Sequence, residues 1–149
     1  MQKLTRAALG MLLTMGLSGL AMAAEPAATG LGQAWPNAAD VSASPNWHVY
    51  VFVLNGIKYV QVNDLNGNVV GAIGTAGGQF ITLPIGQSQD VSTPQQRTSA
   101  VKPAGTAMTV YRDNSTVITA TPQNNGVTTL SAAPASICQD PEQCSTSLQ

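Results

Sequence analysis

The sequence predicts an all-β protein, a small antiparallel meander packed as a sandwich or partly open barrel, with a flexible N-terminal leader and C-terminal tail. Three observations carry this. Residues 47–54 read WHVYVFVL, β-branched and aromatic throughout, and run straight into Asn55-Gly56, the strongest short hairpin signal. Turn punctuation then recurs at strand-length intervals, at Asn66-Gly67, Gly77-Gly78 and Asn125-Gly126. No window after residue 23 places apolar residues at i, i+3, i+4 and i+7, so no helix is expected there.

Residues 1–23 read as a cleaved secretory signal peptide. Lys3 and Arg6 give a positive start, an apolar run follows, and Ala21-Met22-Ala23 offers the small-x-small pattern, which places cleavage between Ala23 and Ala24. The run is shorter than the about 20 apolar residues of a spanning helix and contains three glycines. A periplasmic or secreted bacterial protein, with no membrane span after signal removal, is the expectation.

Residues 24–46 are rich in Ala, Gly, Pro, Ser and Asn without period and are expected as a flexible leader. The β domain then spans 47–132. Its first part, 47–85, reads as a four-stranded meander: strands at 47–54, 57–63, 69–74 and 79–85. A two-residue loop at Asn55-Gly56 pairs Leu54 with Ile57 and fixes the register behind it. One face then carries Val53–Lys58, Val51–Val60, Val49–Val62 and Trp47–Asp64, a core face. The other carries Leu54–Ile57, Phe52–Tyr59, Tyr50–Gln61 and His48–Asn63. If Asn66-Gly67 is also a two-residue loop, Val60 meets Ile73 and Val62 meets Gly71. Apolar residues on both faces point to two packed layers rather than one sheet with a wet side.

Residues 86–106 form a polar loop without pattern. The second strand group, 107–132, is expected as strands at 107–112, 116–121 and 127–132. These are Thr-rich and less apolar, so they read as edge strands or an exposed sheet. Residues 133–149 are a polar tail. Cys138 and Cys144 lie within it, and in an exported chain the even count reads as a disulfide closing a short loop, worth about 2 kcal/mol at most.

Only 9% of residues are charged, against roughly a quarter in ordinary domains. After the signal, four cationic residues (Lys58, Arg97, Lys102 and Arg112) face seven acidic ones, which excludes binding of nucleic acid by phosphate neutralisation. His48 is the sole histidine, so two Cys and one His cannot complete a zinc site, and no cofactor or metal is expected. Nothing resembles G-x-S-x-G. Asp64-Leu65-Asn66-Gly67-Asn68 resembles the first half of a calcium loop, but Val69 and Thr75 stand where that loop needs Gly and a bidentate acid. Asp64 is therefore expected to cap a turn. No catalytic set emerges.

The surface of greatest interest is the aromatic face: Tyr50, Phe52, Tyr59 and Gln61 offer flat rings beside an amide, suited to a glycan or a peptide. The alternative is that a second layer, such as the 107–132 strands, covers it as core. The functional expectation is a small exported non-catalytic β-rich module that binds a protein or glycan of the cell envelope. Its affinity would come from strand edges or from the aromatic face. The alternatives are a small envelope hydrolase, which needs two of Asp64, Asp90, Asp113, Asp140 and Glu142 to converge, and a self-assembling matrix protein built on the uncharged 47–54 run.

Overall fold

A computed structural model describes residues 27–87, 90–97, 105–138 and 140–142. The expected signal peptide, with its cleavage between Ala23 and Ala24, and Cys144 lie outside the described residues. Eight strands follow in chain order: β1 (His48–Leu54), β2 (Ile57–Asn63), β3 (Val69–Ala76), β4 (Gln79–Thr82), β5 (Val91–Ser92), β6 (Met108–Arg112), β7 (Thr116–Pro122) and β8 (Thr128–Pro134). They form two four-stranded sheets, ordered β1-β2-β3-β4 and β5-β8-β7-β6. The fold is all-β, two mostly antiparallel layers around one core, as the alternation of apolar residues predicts.

Asn55 and Gly56 both have positive φ, 51° and 79°, the requirement of a type I′ two-residue loop. β1 and β2 therefore pair as the sequence predicts, from Leu54↔Ile57 back to His48↔Asn63. Val60 pairs with Ile73 and Val62 with Gly71, also as expected, but by a different route. The loop after β2 holds three residues, Leu65-Asn66-Gly67: Gly67 N donates to Asp64 O at 3.1 Å, and Asp64 N donates to Asn68 O at 3.0 Å. This shifts the register by one, and a bulge beside Val62 and Asn63 shifts it back. Asn125-Gly126 closes the same kind of loop, with Gly126 N bonded to Gln123 O and Gln123 N bonded to Val127 O. β6 carries a second bulge, between Thr109 and Tyr111. The bulge residues, Val70 and Val110, both join the core.

The core lies between the sheets. The first contributes Val49, Val60, Val62, Ile73 and Phe80, the second Val91, Val110, Ile118, Leu130 and Ala132. Each fully buried side chain of this size stabilises by roughly 1.5–3 kcal/mol. The valine face of the first hairpin is thus the core face.

Four expectations are corrected. The Thr-rich strands are not an exposed sheet: β7 sits inside its sheet and is buried at all positions but Pro122. Its far side is closed by Val117 packing with Ala133 and Cys138. The polar loop 86–106 contains β5, a two-residue strand parallel to β8, too short to leave a pattern in sequence. Residues 27–46, read as a flexible leader, are laid across the first sheet and bonded to it, because the buried amides of that sheet require backbone partners. Similarly, the first residues of the tail are docked: Ala135 N bonds Ser115 O at 3.0 Å and Arg112 Nη2 bonds Cys138 O at 2.9 Å. Among the described residues no helix is long and apolar enough to cross a membrane.

Candidate functional site

The aromatic face is not an open platform. Tyr50 is 5% exposed, Phe52 1% and Gln61 0%, and only Tyr59 is half-buried. At its amide-rich end the cover is the leader, not the second strand group. Gly32 N donates to Gln61 Oε1 at 2.6 Å, and Gln61 Nε2 donates to Gln33 O at 2.8 Å and to Asn63 Oδ1 at 2.9 Å. Asn63 Nδ2 in turn donates to Ala34 O at 2.7 Å and to Gly67 O at 3.2 Å. The two amides buried in β2 thus act as side-chain clamps for the leader backbone.

Further along, the leader reaches the start of β1. Asp40 Oδ1 accepts from Val49 N and Ser42 N, both at 2.9 Å, and its Oδ2 lies 2.7 Å from His48 Nδ1. Burial would raise the Asp40 carboxyl, but the Val49 amide, His48 and the Ser42 amide hold it below the usual carboxylate range. The Trp35 ring stands edge-on to His48, centroids 5.4 Å apart, and His48 stacks toward Tyr50 at 6.4 Å. Asp40 is the signal that sequence reading missed: it is the single charged residue between positions 27 and 46. His48 does face Asn63, but its bonded partner is Asp40.

An Asp-His pair with nearby serines invites comparison with a nucleophilic triad. Neither Ser42 Oγ nor Ser44 Oγ bonds His48. Ser42 Oγ donates to Ser44 O at 2.7 Å and accepts from Ser44 N at 3.2 Å, while Ser44 Oγ accepts from Asn46 N at 3.5 Å.

Of the candidate acids, Asp64 and Asp113 do not converge. Asp64 closes its own turn, with Oδ1 accepting from Asn66 N and Asn68 N and Oδ2 from Asn68 Nδ2, each at 2.8 Å. Asp113 serves the other end of β2. Its Oδ2 is paired with Lys58 and accepts from Tyr111 OH at 2.8 Å, and its Oδ1 accepts from Ser115 N and Thr116 N. This joins the first sheet to the β6–β7 turn of the second. Burial opposes ionisation of Asp113, yet Lys58 first, then the Ser115 amide and Tyr111, hold it far below the usual range. Asp64 and Asp113 therefore stand at opposite ends of one strand. Among the described residues no three His, Cys, Asp or Glu side chains gather as metal ligands.

Two features stand out on the first sheet. The first is the end of β1. The outward backbone groups of Val49 are taken, its N by Asp40 Oδ1 and its O by Val41 N at 2.8 Å. By the two-residue period the outward groups of Val51 and Val53 come next, and no described residue bonds them. Val53 is 67% exposed and Leu54 47%, on opposite faces of this edge, and half-buried Ile57 and Tyr59 lie on the adjacent strand. At the opposite edge β4 is capped, since Phe80 N donates to Gln95 Oε1 and Thr82 Oγ1 to Gln96 Oε1. The second is a cleft of about 430 Å³ between the leader and the start of β1, walled by Asp40, Ser44, Pro45, Trp47 and His48. Compared with family models, with curated proteins and with solved structures, the chain matches none.

Proposed function

We propose that this chain is a small exported, non-catalytic interaction module that takes up an extended apolar segment of an envelope protein along β1. The observation that carries the reading is the uncapped run from Val51 to Leu54. Its outward backbone groups are unclaimed by any described residue, and within it Val53 is 67% exposed and Leu54 47%. Strand addition uses this combination, with main-chain bonds for affinity and alternate side chains for selection. An edge without charge, proline or cover is otherwise a hazard that proteins avoid. Serine hydroxyls that do not bond His48, and the separation of Asp64 from Asp113, support a non-catalytic role. Export, through the cleaved signal, and a Cys138–Cys144 disulfide that fastens the tail are parts of the same proposal.

The test is photo-cross-linking in cells, with the probe at Leu54 and a control probe at Leu65, which is also exposed but lies in the turn after β2. The expected result is capture of one or two specific proteins from Leu54 and none from Leu65. Val53→Pro removes the outward N–H without touching a β1–β2 bond and is expected to abolish capture. Capture that survives Val53→Pro, or cross-links to the chain itself alone, would overturn the reading in favour of another surface or of self-assembly.

A further inference from the structure

We propose that Asn55 is a site of spontaneous covalent modification: attack by the Gly56 backbone nitrogen converts its side-chain amide to a carboxylate through a cyclic imide. The proposal is independent of the strand-addition reading.

The chain contains three Asn-Gly pairs, at 55–56, 66–67 and 125–126, each in a turn between two strands. A glycine after asparagine carries no side chain to shield its nitrogen from the neighbouring amide carbon. Sequence does not rank the first two pairs, since both sit in the same tripeptide, Leu54-Asn55-Gly56 and Leu65-Asn66-Gly67. The fold separates them. Between β2 and β3 the Gly67 N–H donates to Asp64 O at 3.1 Å. Gly67 is also buried against Trp35, so closely that a Cβ there would meet Trp35 Cε2 at 2.6 Å. Between β7 and β8 the Gly126 N–H donates to Gln123 O at 3.1 Å, and Asn125 Oδ1 accepts from Val127 N at 3.0 Å. A bonded N–H keeps its nitrogen aimed at the acceptor, and attack costs that bond.

Asn55 and Gly56 carry no such restraint. Both are exposed, and no described residue bonds the Asn55 side chain or the Gly56 N–H. A Cβ added at Gly56 would meet nothing within 4 Å, so the nitrogen has room to approach. Closure turns the Asn55 backbone away from its φ of 51°, a left-handed conformation that residues with a side chain disfavour. In the step the bond from Gly56 N to Asn55 Cγ forms and the Cγ–Nδ2 bond breaks. The Gly56 amide proton leaves with the side-chain nitrogen as ammonia. Water then opens the imide at either carbonyl, giving aspartate or isoaspartate. Either product places a negative charge beside Leu54, at the open end of β1. Isoaspartate also adds a methylene to the main chain, within the two-residue loop that sets the β1–β2 register.

The test ages the mature chain in mildly alkaline buffer, native and in urea, and maps it with trypsin. Cleavage after Lys58, Arg97 and Arg112 puts each Asn-Gly pair in its own peptide, and fragmentation in the mass spectrometer locates the new acid. In the native chain Asn55 is expected to convert several times faster than Asn66 or Asn125. In urea the two Leu-Asn-Gly sites are expected to convert at equal rates, because the bond to Asp64 O and the Trp35 cover are gone. The proposal is overturned if native Asn66 or Asn125 converts as fast as Asn55, or if Asn55 keeps its amide in the native chain. It is also overturned if the lead of Asn55 over Asn66 persists in urea, since the difference would then belong to sequence rather than fold.

Discussion

Gln61 and Gly32, twenty-nine positions apart, hold each other across the outer face of the first sheet: the Gly32 amide donates to Gln61 Oε1 at 2.6 Å, and Gln61 returns its own amide to Gln33 O at 2.8 Å. Gln61 is fully buried, so its removal leaves leader groups without partners. Gln61→Ala is expected to cost about 2–4 kcal/mol in urea denaturation. Hydrogen exchange is expected to localise the loss first at Gly32 and Gln33, while amides of β7 keep their protection.

The Lys58–Asp113 pair makes the fold sensitive to acid. Asp113 has its carboxyl held far below the ordinary value, so the native state disfavours its proton relative to the unfolded chain. The stabilisation is present above the unfolded carboxylate range, near pH 4, and is lost as pH falls through the lower folded value. Asp113→Asn is expected to destabilise by about 1–3 kcal/mol at neutral pH. The variant is also expected to lose less further stability than the parent between neutral and acid pH. Urea midpoints measured across pH check both.

Gly67 and Gly56 separate backbone strain from contact. Both have positive φ, 84° and 79°. A Cβ at Gly67 would meet Trp35 Cε2 at 2.6 Å, whereas a Cβ at Gly56 meets nothing within 4 Å. Either Gly→Ala change is expected to cost roughly 1–2 kcal/mol for the left-handed conformation. Only Gly67→Ala displaces the Trp35 ring, and tryptophan fluorescence is expected to shift in that variant alone.

Leu130 and Leu65 mark the contrast between core and surface. Leu130 is fully buried between the sheets, and Leu65 is 55% exposed in a turn. Leu130→Ala is expected to cost about 2–5 kcal/mol and Leu65→Ala no more than about 0.5 kcal/mol, read from thermal or urea unfolding.

What was legible in the sequence was local. Asn55-Gly56 imposes its loop type on any chain, so the β1–β2 pairing and the valine core face followed from it. Asn66-Gly67 is ambiguous, because the pair serves a two-residue loop or the end of a three-residue loop, and the bulge beside Val62 restored the pairs that the wrong loop length gave. Tyr50, Phe52 and Gln61 are buried, and over Gln61 the cover is the leader rather than the second strand group. The leader that clamps Gln61 and Asn63 shows no period because its bonds run from backbone to distant side chains. The amides at positions 61 and 63 of an otherwise apolar strand were its one trace. β5 is held by pairing with β8 rather than by its own composition. For the candidate site, His48 was visible as the sole histidine. Asp40 was not singled out, since a lone acid among Ala, Ser and Asn resembles an ordinary solvated residue.

The leader also bonds both layers, through Val41 N to Val49 O on the first sheet and Ala43 N to Val110 O on the second, each at 2.8 Å. That places a clock on assembly. Ala43 waits for β6, which lies far behind it in sequence, whereas Val41 and the residues held by Gln61 and Asn63 find their partners in β1 and β2. The leader can therefore close on the first sheet early, while its join to the second sheet forms only once β6 is in place, so one short segment is fastened in two stages.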